Sequence, residues 1–473
     1  MKVLLIFPPQ KHYAVGKTIH MEITVEAGGY PPIGLLYIAS YLKKNTDYEV
    51  KVLDAHNDKL DYRQLREYIS KERPDVVGIY TSTYFLYDTV LTARTVKEIS
   101  NSIKVVAGGP HFYFYPEHLK NAPEIDFSCY GEGELLMKEL IDRLAAGGTG
   151  VEDIPGIMTS KNPKAAMQRI DDINQLPFPD RIMINYRNYR SILAAGSPVT
   201  TIISSRGCPF NCYFCGSIVG GRKVRFRAAG NIVDELESCM KLGIRDFLFF
   251  DEIFTFDKKR VIEICRELIK RRLNIRFHIR SRADTIDEEM LIWLKKAGCR
   301  LIQFGIESGT EHIQKVLNKN LKLDKVREVI KQMKKIGIQS YGDFMLGSPE
   351  ESIEEMKQTI SFARELNLDY AQFETTHVVP CTEFYRMALE QGRFKNDVWQ
   401  EYVNNPSKQI EETVWNVGQK KQIEELNRHA FIEYYLRSGY IIRKIMAIDS
   451  FQQILWQLKS AIKVFGRFIL RSR

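Results

Sequence analysis

Arg206-Gly-Cys-Pro-Phe-Asn-Cys-Tyr-Phe-Cys-Gly216 places Cys208, Cys212 and Cys215 within eight residues. Three thiolates on one short loop read as a metal site. Iron–sulfur cubanes are tied to protein by four cysteines, so a C-x3-C-x2-C run with no fourth cysteine nearby leaves one iron open to a ligand. Zinc requires a second pair of Cys or His ligands at regular spacing, whereas the next cysteine, Cys239, lies in an apparent helix and the next histidine is His278. A thioredoxin-like use of Cys212-x-x-Cys215 requires the pair to open a helix after a strand, and it leaves Cys208 without a role.

Working outward, residues 199–204 read as a strand that delivers the loop. Apolar runs at 244–250, 275–279, 301–306, 338–346 and 370–373 then alternate with helical patterns at 258–270, 288–297, 311–317, 326–336 and 353–366. The alternation predicts a partial (β/α)6 barrel of parallel strands over 199–375. Barrel chemistry sits at the carboxyl ends of strands. Besides the cysteine loop, those ends carry Asp251-Glu252, Arg280 with Arg282, Glu307-Ser308, Gly347-Ser-Pro349 and Thr375-Thr-His377. Carboxylates accept hydrogen bonds from an ammonium and from ribose hydroxyls, and an arginine pairs with a carboxylate. S-adenosylmethionine has all three features, and its amino and carboxylate groups can chelate an open iron. Taken singly, Asp251-Glu252 also reads as a helix N-cap region and Glu307 as an exposed turn.

Ahead of the barrel, residues 1–145 alternate short β-branched runs (3–7, 50–53, 76–80, 105–107, 125–129) with amphipathic stretches such as 33–44 and 60–71. This predicts a doubly wound, Rossmann-like α/β domain with a parallel sheet of about five strands. Such sheets bind ligands beyond the carboxyl ends of their strands, where Asp54-Ala-His56, Ser82-Thr83, Gly108-Gly-Pro-His111 and Gly131-Glu-Gly-Glu134 fall. Paired glycines there let backbone approach a ligand closely. None follows G-x-G-x-x-G, so NAD binding is not supported. Residues 146–198, rich in turn signals such as Gly147-Gly-Thr-Gly150 and Leu176-Pro-Phe-Pro-Asp180, read as a linker.

With Pro31-Pro-Ile-Gly-Leu35 opening its first helix, the first domain resembles the cobalamin-binding (B12-binding) domains that precede radical SAM domains. The second part resembles the radical SAM superfamily through Cys208, Cys212, Phe214 and Cys215, the Phe-Phe-Asp-Glu-x-Phe segment at 249–254, Arg282-Ala-Asp284 and Gly305-Ile-Glu-Ser-Gly309. The resemblance implies that Cys208, Cys212 and Cys215 hold a [4Fe–4S] cluster and that Phe214 packs near adenine. It implies that Asp251 and Glu252 handle the methionine amino group, that Arg282 meets the carboxylate, and that Glu307 with Ser308 faces the ribose. Ser82, Thr83, Gly108, Gly109, Gly131 and Glu132 would line the cobalamin site. The D-x-H-x-x-G pattern that supplies a histidine to cobalt is broken, since Lys59 stands where its glycine would be. His56 is therefore a poor axial ligand, cobalt is expected without a protein histidine, and His12 and His20 in the loop after the first strand stay open as alternatives.

The implied reaction is reductive cleavage of S-adenosylmethionine to a 5′-deoxyadenosyl radical, hydrogen abstraction, and methyl transfer from methylcobalamin to an unactivated carbon. The alternatives are cyclisation or rearrangement without methyl transfer, and a radical SAM enzyme that binds no corrinoid. A flavodoxin- or ferredoxin-type one-electron reductant and a small-molecule or lipid-like substrate are the expected partners.

Residues 376–473 are expected to be mostly helical. Cys381 stands where similar chains have glycine; it is a weak candidate to face the substrate, against a buried, inert thiol. Leu455, Leu458, Ile462, Phe465 and Ile469 recur at three-four spacing beside Lys459, Lys463, Arg467 and Arg471. That basic amphipathic tail, 451–473, is expected either to contact a membrane peripherally or to pack on the barrel.

Residues 440–473 hold seven basic residues against Asp449, so +6 of the net +9 lies there. The rest is near neutral, and a broad nucleic-acid surface is not indicated. Apolar content of 44% and charged content of 27% over 473 residues suit several globular domains. Eight cysteines without a paired framework fit a reducing cytoplasm, with the inner membrane face as the site of any peripheral contact. No secretory signal or membrane-spanning run is expected.

Overall fold

Five β-branched-rich runs form β1 (Lys2–Phe7), β2 (Glu49–Asp54), β3 (Val76–Tyr80), β4 (Lys104–Gly108) and β5 (Phe127–Cys129). In the computed structural model, which describes residues 1–15, 29–163, 165–191, 198–394 and 396–446, these strands pair in parallel in the order β2-β1-β3-β4-β5. Helices α1 (Ile33–Asn45), α2 (Tyr62–Glu72), α3 (Leu86–Ile99) and α4 (Gly133–Ala145) cover both faces. Alternate residues of β1 face opposite sides. Leu4 and Ile6 join Leu65, Ile69, Ala93 and Val96 of α2 and α3 in one buried cluster. Leu5 instead points with Met137 of α4 towards Gly78. Burial on both faces is why these strands read as continuous apolar runs. A capping box between Asp61 and Gln64 starts α2.

The expected linker is not one. Within it, β6 (Ile157–Met158) pairs antiparallel with β5, and Ile154, Ile170, Ile173, Leu176 and Tyr189 are buried. Tyr189 donates to the buried Asp54 at 2.6 Å. Apolar residues spaced irregularly between turns carry no periodicity, so the segment looked like a connector. The expected C-terminal region is divided in the same way. Two compact units take their described residues from Met1–Lys17, Tyr30–Tyr189 and Phe394–Glu412, and from Arg190–Arg393 and Thr413–Arg473. In the first, Trp399 meets Tyr84 edge-on at 5.3 Å, and Ile410 donates to the Ala14 carbonyl at 2.6 Å.

Gly131 (φ 134°) shows how closely that unit is folded on itself, because a Cβ there would stand 2.1 Å from the Gln168 carbonyl oxygen. Gly131→Ala is expected to destabilise this unit by more than about 1 kcal/mol, read from its denaturant midpoint. An unchanged midpoint would show that the segment at Gln168 can move away.

In the second unit, β7 (Val199–Ile202), β8 (Asp246–Phe249), β9 (Arg276–Ser281), β10 (Cys299–Glu307), β11 (Gln339–Leu346) and β12 (Tyr370–Thr375) form one parallel sheet in sequence order. The helices between them include Lys258–Lys270, capped by Asp257, and Ile353–Leu366, opened by a Ser352/Glu355 capping box. The Lys420–Tyr435 helix packs on β12. His20 and the tail 451–473 lie outside the described residues.

Candidate active site

The cysteine loop is clamped at its base and from the side. A two-stranded ribbon, Ser205–Arg206 with Arg225–Phe226, closes its base. Gly207 (φ 104°) must be glycine there, since a Cβ would stand 2.6 Å from the Lys223 carbonyl oxygen. The Cys208 N–H donates to the Gly221 carbonyl at 2.9 Å and that of Tyr213 to Leu317 at 3.0 Å. Asn318 donates to the Asn211 carbonyl at 2.8 Å, and Arg222 to the Phe210 carbonyl and the Asn211 side chain.

Cys208 is buried, Cys212 and Cys215 are half-buried, and all three are free thiols. Burial pushes the Cys208 and Cys212 thiols up, and the charge of the neighbouring cysteines adds to it. Such a trio becomes three thiolates only if a cation takes the sulfur lone pairs, so the donor set fits a cluster. Among the described residues no three His, Cys, Asp or Glu side chains converge on a single-ion site; a cubane does not need that convergence, since each thiolate takes its own iron.

The strand-end carboxylates divide their work. Asp251 is buried, and both its oxygens are engaged: it accepts from the Ser204 N–H at 2.8 Å and from the Ser204 and Ser205 hydroxyls, each at 2.5 Å, and faces Arg260 at 3.7 Å. In this structure it holds the root of the cysteine loop, so of the pair Glu252 is the candidate for a ligand amino group. Solvent reaches Glu252, yet protein encloses it enough that desolvation raises its carboxyl, with Arg280 opposing.

The two arginines differ in the same way. Arg282 grips Asp284 at 3.0 and 2.7 Å, donates to the Lys319 carbonyl at 2.9 Å, and lies 3.9 Å from the centre of the Phe210 ring. It is spent on the wall of the cysteine loop, its remaining amine 4.0 Å from the Cys212 sulfur. Arg280 lies 4.6 Å from the centre of the Phe250 ring and keeps a buried Nε without a partner among the described residues. It is the better candidate for a ligand carboxylate. Ser308 is fully buried and bonds Thr359 at 3.2 Å, so it packs and does not face a ribose.

Glu307 (φ 67°) pairs with Lys319 at 2.8 Å, both nearly buried. A Cβ on Gly305 would strike both partners, at 2.3 and 2.8 Å, which accounts for the glycine. Lys319 also stands 5.7 Å from the centre of the Phe214 ring. Nothing in Asn318-Lys-Asn320 marks that lysine as part of a site; only the turn after the Glu311–Val316 helix brings it there.

Below this level the lumen is polar where barrels are usually packed with branched side chains. Gln303 donates to Asp343 at 2.8 Å, and Tyr341, Gln372 and Glu374 form a second chain. A signal was present in β11, where Tyr341, Asp343 and Met345 alternate with buried residues. Burial first, then Glu307, pushes the Asp343 carboxyl from its ordinary 3.8 up to about 7. An acid with a raised folded value takes up a proton on folding, so the cost of its charge is absent below about pH 4 and complete above about pH 7. Asp343→Asn is therefore expected to gain stability relative to wild type as pH rises across that window. Urea midpoints at a pH series would read it, and a pH-independent difference would count against it.

In the first unit the expected cobalamin residues sit at the carboxyl ends of β3, β4 and β5. Ser82 is half-buried, and Thr83 is buried with its hydroxyl 3.1 Å from His111 Nδ1, which continues to His118 at 3.0 Å. Gly108 would accept a Cβ, its nearest neighbour being Cys129 at 3.9 Å, whereas Gly109 (φ 122°) would clash with the Thr81 carbonyl at 2.6 Å. The glycines at 109 and 131 are thus required by the chain's own backbone before any ligand. Glu132 accepts from the Ile170 N–H at 2.6 Å. His56 Nδ1 lies 3.1 Å from the Pro9 carbonyl oxygen.

Cys381 is exposed with φ 58°, which corrects the buried alternative and shows why glycine would suit the position. His377 is held 2.7 Å from Thr413. Among the described residues no helix is long and apolar enough to cross a membrane.

Residues 202–363 match the radical SAM superfamily and residues 23–141 the B12 binding domain. The chain is 32% identical over 459 residues to an uncharacterized methyltransferase, PH0819, of Pyrococcus horikoshii, covering 95% of this chain and 96% of that one. It is 30% identical over 400 residues to the anaerobic magnesium-protoporphyrin IX monomethyl ester cyclase of Rubrivivax gelatinosus, covering 82% and 70%. Its fold is similar to that of TsrM from Kitasatospora setae, a radical S-adenosylmethionine methyltransferase solved with cobalamin and a [4Fe–4S] cluster. The TM-score is 0.67 at 20% identity, over 82% of this chain and 75% of that one.

Proposed function

Because the chain belongs to the radical SAM superfamily, in the group that carries a B12-binding domain ahead of the barrel, we propose that it is a C-methyltransferase acting on an unactivated carbon. The observation that supports this reading is the likeness to an uncharacterized methyltransferase, 95% of this chain on 96% of the relative.

Cys208, Cys212 and Cys215 would hold the cluster, with Asp251, Arg222 and Arg282 keeping their loop in place. Glu252 would take the ammonium and Arg280 the carboxylate of S-adenosylmethionine, the fork of a guanidinium matching a carboxylate's two oxygens. Phe214 would lie against adenine, and Glu307, fixed by Lys319, would meet the ribose. Ser82, Gly108 and the neighbouring strand ends of the first unit would carry cobalamin. When bound, these groups supply reductive cleavage, a carbon radical able to remove hydrogen, and a methyl donor. The protein orients them and excludes water.

The substrate is a small or lipid-like molecule and the electron donor a flavodoxin- or ferredoxin-type protein, with the cytoplasm, or its membrane face, as the place of work. A second reading, cyclisation without methyl transfer, is favoured by the 30% identity to the magnesium-protoporphyrin ester cyclase. The two separate in one experiment. Reconstituted protein is incubated anaerobically with methyl-labelled S-adenosylmethionine and a small-molecule extract from cells lacking it. Methyl transfer puts label into one product alongside 5′-deoxyadenosine and S-adenosylhomocysteine; an unlabelled new product selects the cyclase.

A further inference from the structure

Three exposed cations stand around the cysteine loop with no carboxylate to neutralise them. Arg222, Lys223 and Lys315 form no ion pair among the described residues. Arg222 reaches only the Phe210 carbonyl and the Asn211 side-chain oxygen. Asn318 donates to the Asn211 carbonyl, and its own N–H donates to the Lys315 carbonyl at 2.9 Å. Both cationic segments therefore meet the loop at Asn211, the residue before Cys212, and Pro209 and Asn211 are themselves exposed. The acids nearby are taken: Glu311 faces Lys322 at 4.0 Å, and Arg282 grips Asp284. Lys258, two residues after Phe256, is by contrast neutralised by Asp287 and Glu289.

An aromatic path leads inward from the same surface. Phe256 is 42% exposed and meets the Phe210 ring edge-on at 6.3 Å. Arg282 lies 3.9 Å from the centre of that ring, and its amine stands 4.0 Å from Cys212 Sγ. Along the chain, a single peptide bond separates the exposed Asn211 from Cys212. Electron transfer between proteins falls off exponentially with distance, so a carrier must dock where the accepting group comes close to the surface.

We propose that Pro209, Asn211, Arg222, Lys223, Phe256 and Lys315 form the docking surface for an acidic, flavin-bearing electron carrier of the flavodoxin class. Unpaired cations attract and orient an acidic partner. An exposed phenyl ring offers flat contact to the apolar edge of a flavin. One electron leaves the reduced flavin and one arrives at the thiolate-held cluster; no bond of this chain forms or breaks. The inference rests on the cysteine loop holding that cluster, and it adds the face on which the electron arrives and the chemistry of the protein that brings it.

Full-length protein with its cluster reconstituted is titrated anaerobically with flavodoxin, and the dissociation constant is measured by calorimetry over a series of salt concentrations. Binding is expected to weaken steeply as salt rises. Lys223→Glu and Lys315→Glu are each expected to weaken it roughly 10-fold at low salt and less at high salt. Phe256→Ala is expected to weaken it roughly 5- to 30-fold at every salt concentration, since apolar contact is not screened. Lys270→Glu serves as control: Lys270 is exposed at the last turn of its helix, which leads to the amino end of β9, away from the loop. It is expected to change nothing. Reduction by dithionite, followed by electron paramagnetic resonance, is expected to be the same in all four variants.

Affinity indifferent to salt and to the three substitutions overturns the proposal. So does an equal loss in Lys270→Glu, or a loss confined to Lys459→Glu and Lys463→Glu, which would put the carrier on the basic tail. Binding of an acidic ferredoxin and not of flavodoxin overturns the choice of carrier. The salt series uses the natural chain, so a variant that fails to fold does not decide the outcome. A chain that takes up no iron overturns the cluster reading itself, which separates the two failures.

Discussion

Alanine at any one of Cys208, Cys212 or Cys215 is expected to abolish the visible absorption of a reconstituted cluster and to reduce 5′-deoxyadenosine formation to background. Each thiolate takes its own iron, and no fourth cysteine stands on the loop to replace a lost one. Of the chain's other cysteines, Cys129, Cys239, Cys265 and Cys299 are buried. Burial pushes the Cys129 and Cys265 thiols up to about 12, which makes them poor thiolate donors. The loop itself should survive the change. Its clamps run through the Cys208 and Tyr213 backbone N–H groups, Asn211 and the Phe210 carbonyl, and the cysteine sulfurs add only the Ser217 N–H at 3.4 Å from Cys215 and Arg282 at 4.0 Å from Cys212. Iron and sulfide content, the visible spectrum and thermal unfolding of each variant would be measured together. Full iron in a single-cysteine variant would remove the cubane assignment, and unfolding of the chain would show that the cysteines are structural.

Replacing Lys319 with methionine is expected to cost about 3–5 kcal/mol, the range found when one partner of a buried ion pair is removed and the other is left alone. The side chains of Lys319 and Glu307 are 7% and 9% exposed and 2.8 Å apart. Glu307 is also held at φ 67°, a conformation a non-glycine residue adopts only when its surroundings enforce it. Adding Glu307→Gln to the lysine variant is expected to recover most of the stability, because no charge then stays buried. It should not recover S-adenosylmethionine binding, since the carboxylate proposed to meet the ribose is gone. Urea denaturation of both variants, with equilibrium binding of S-adenosylmethionine, reads the two effects separately. A single variant as stable as the natural chain would mean that water reaches Glu307 and that the pair is not a buried one.

How much of this was legible depended on whether the cause was local. The cysteine spacing is local chemistry and needs no fold to be read. The strand and helix alternation is also local, because parallel strands buried on both faces must be apolar throughout and the helices between them amphipathic. By contrast, Asp251, Arg282 and Ser308 look like ligand-binding residues in sequence and are engaged by neighbours in the structure. Asp251 is taken by Ser204, Ser205 and Arg260, and Arg282 by Asp284 and the Lys319 carbonyl. A carboxylate or guanidinium has a finite number of hydrogen bonds, and which partner fills them depends on what lies across the barrel mouth. Lys319 and Asp343 show the converse. One comes from an unremarkable loop and the other from the middle of a strand, and only closure of the sheet brings them to the site.

The sequence by itself therefore determined the kind of chemistry: an open iron on three thiolates, a zwitterionic ligand with a ribose suited to carboxylates and arginine, and strand ends where backbone can approach a ligand closely. Those follow from residue types at short spacing, where covalent reach sets what can meet. Tertiary structure decided the division of labour among those residues and the extent of each unit. It carried residues 146–189 and 394–412 into the first unit, spent Arg282 on Asp284 and the Lys319 carbonyl while leaving the Arg280 Nε without a partner among the described residues, and set His12 against Asp88. These are contacts between residues tens to hundreds of positions apart. No local pattern encodes them, because burial and hydrogen-bond saturation are settled only when the whole core closes.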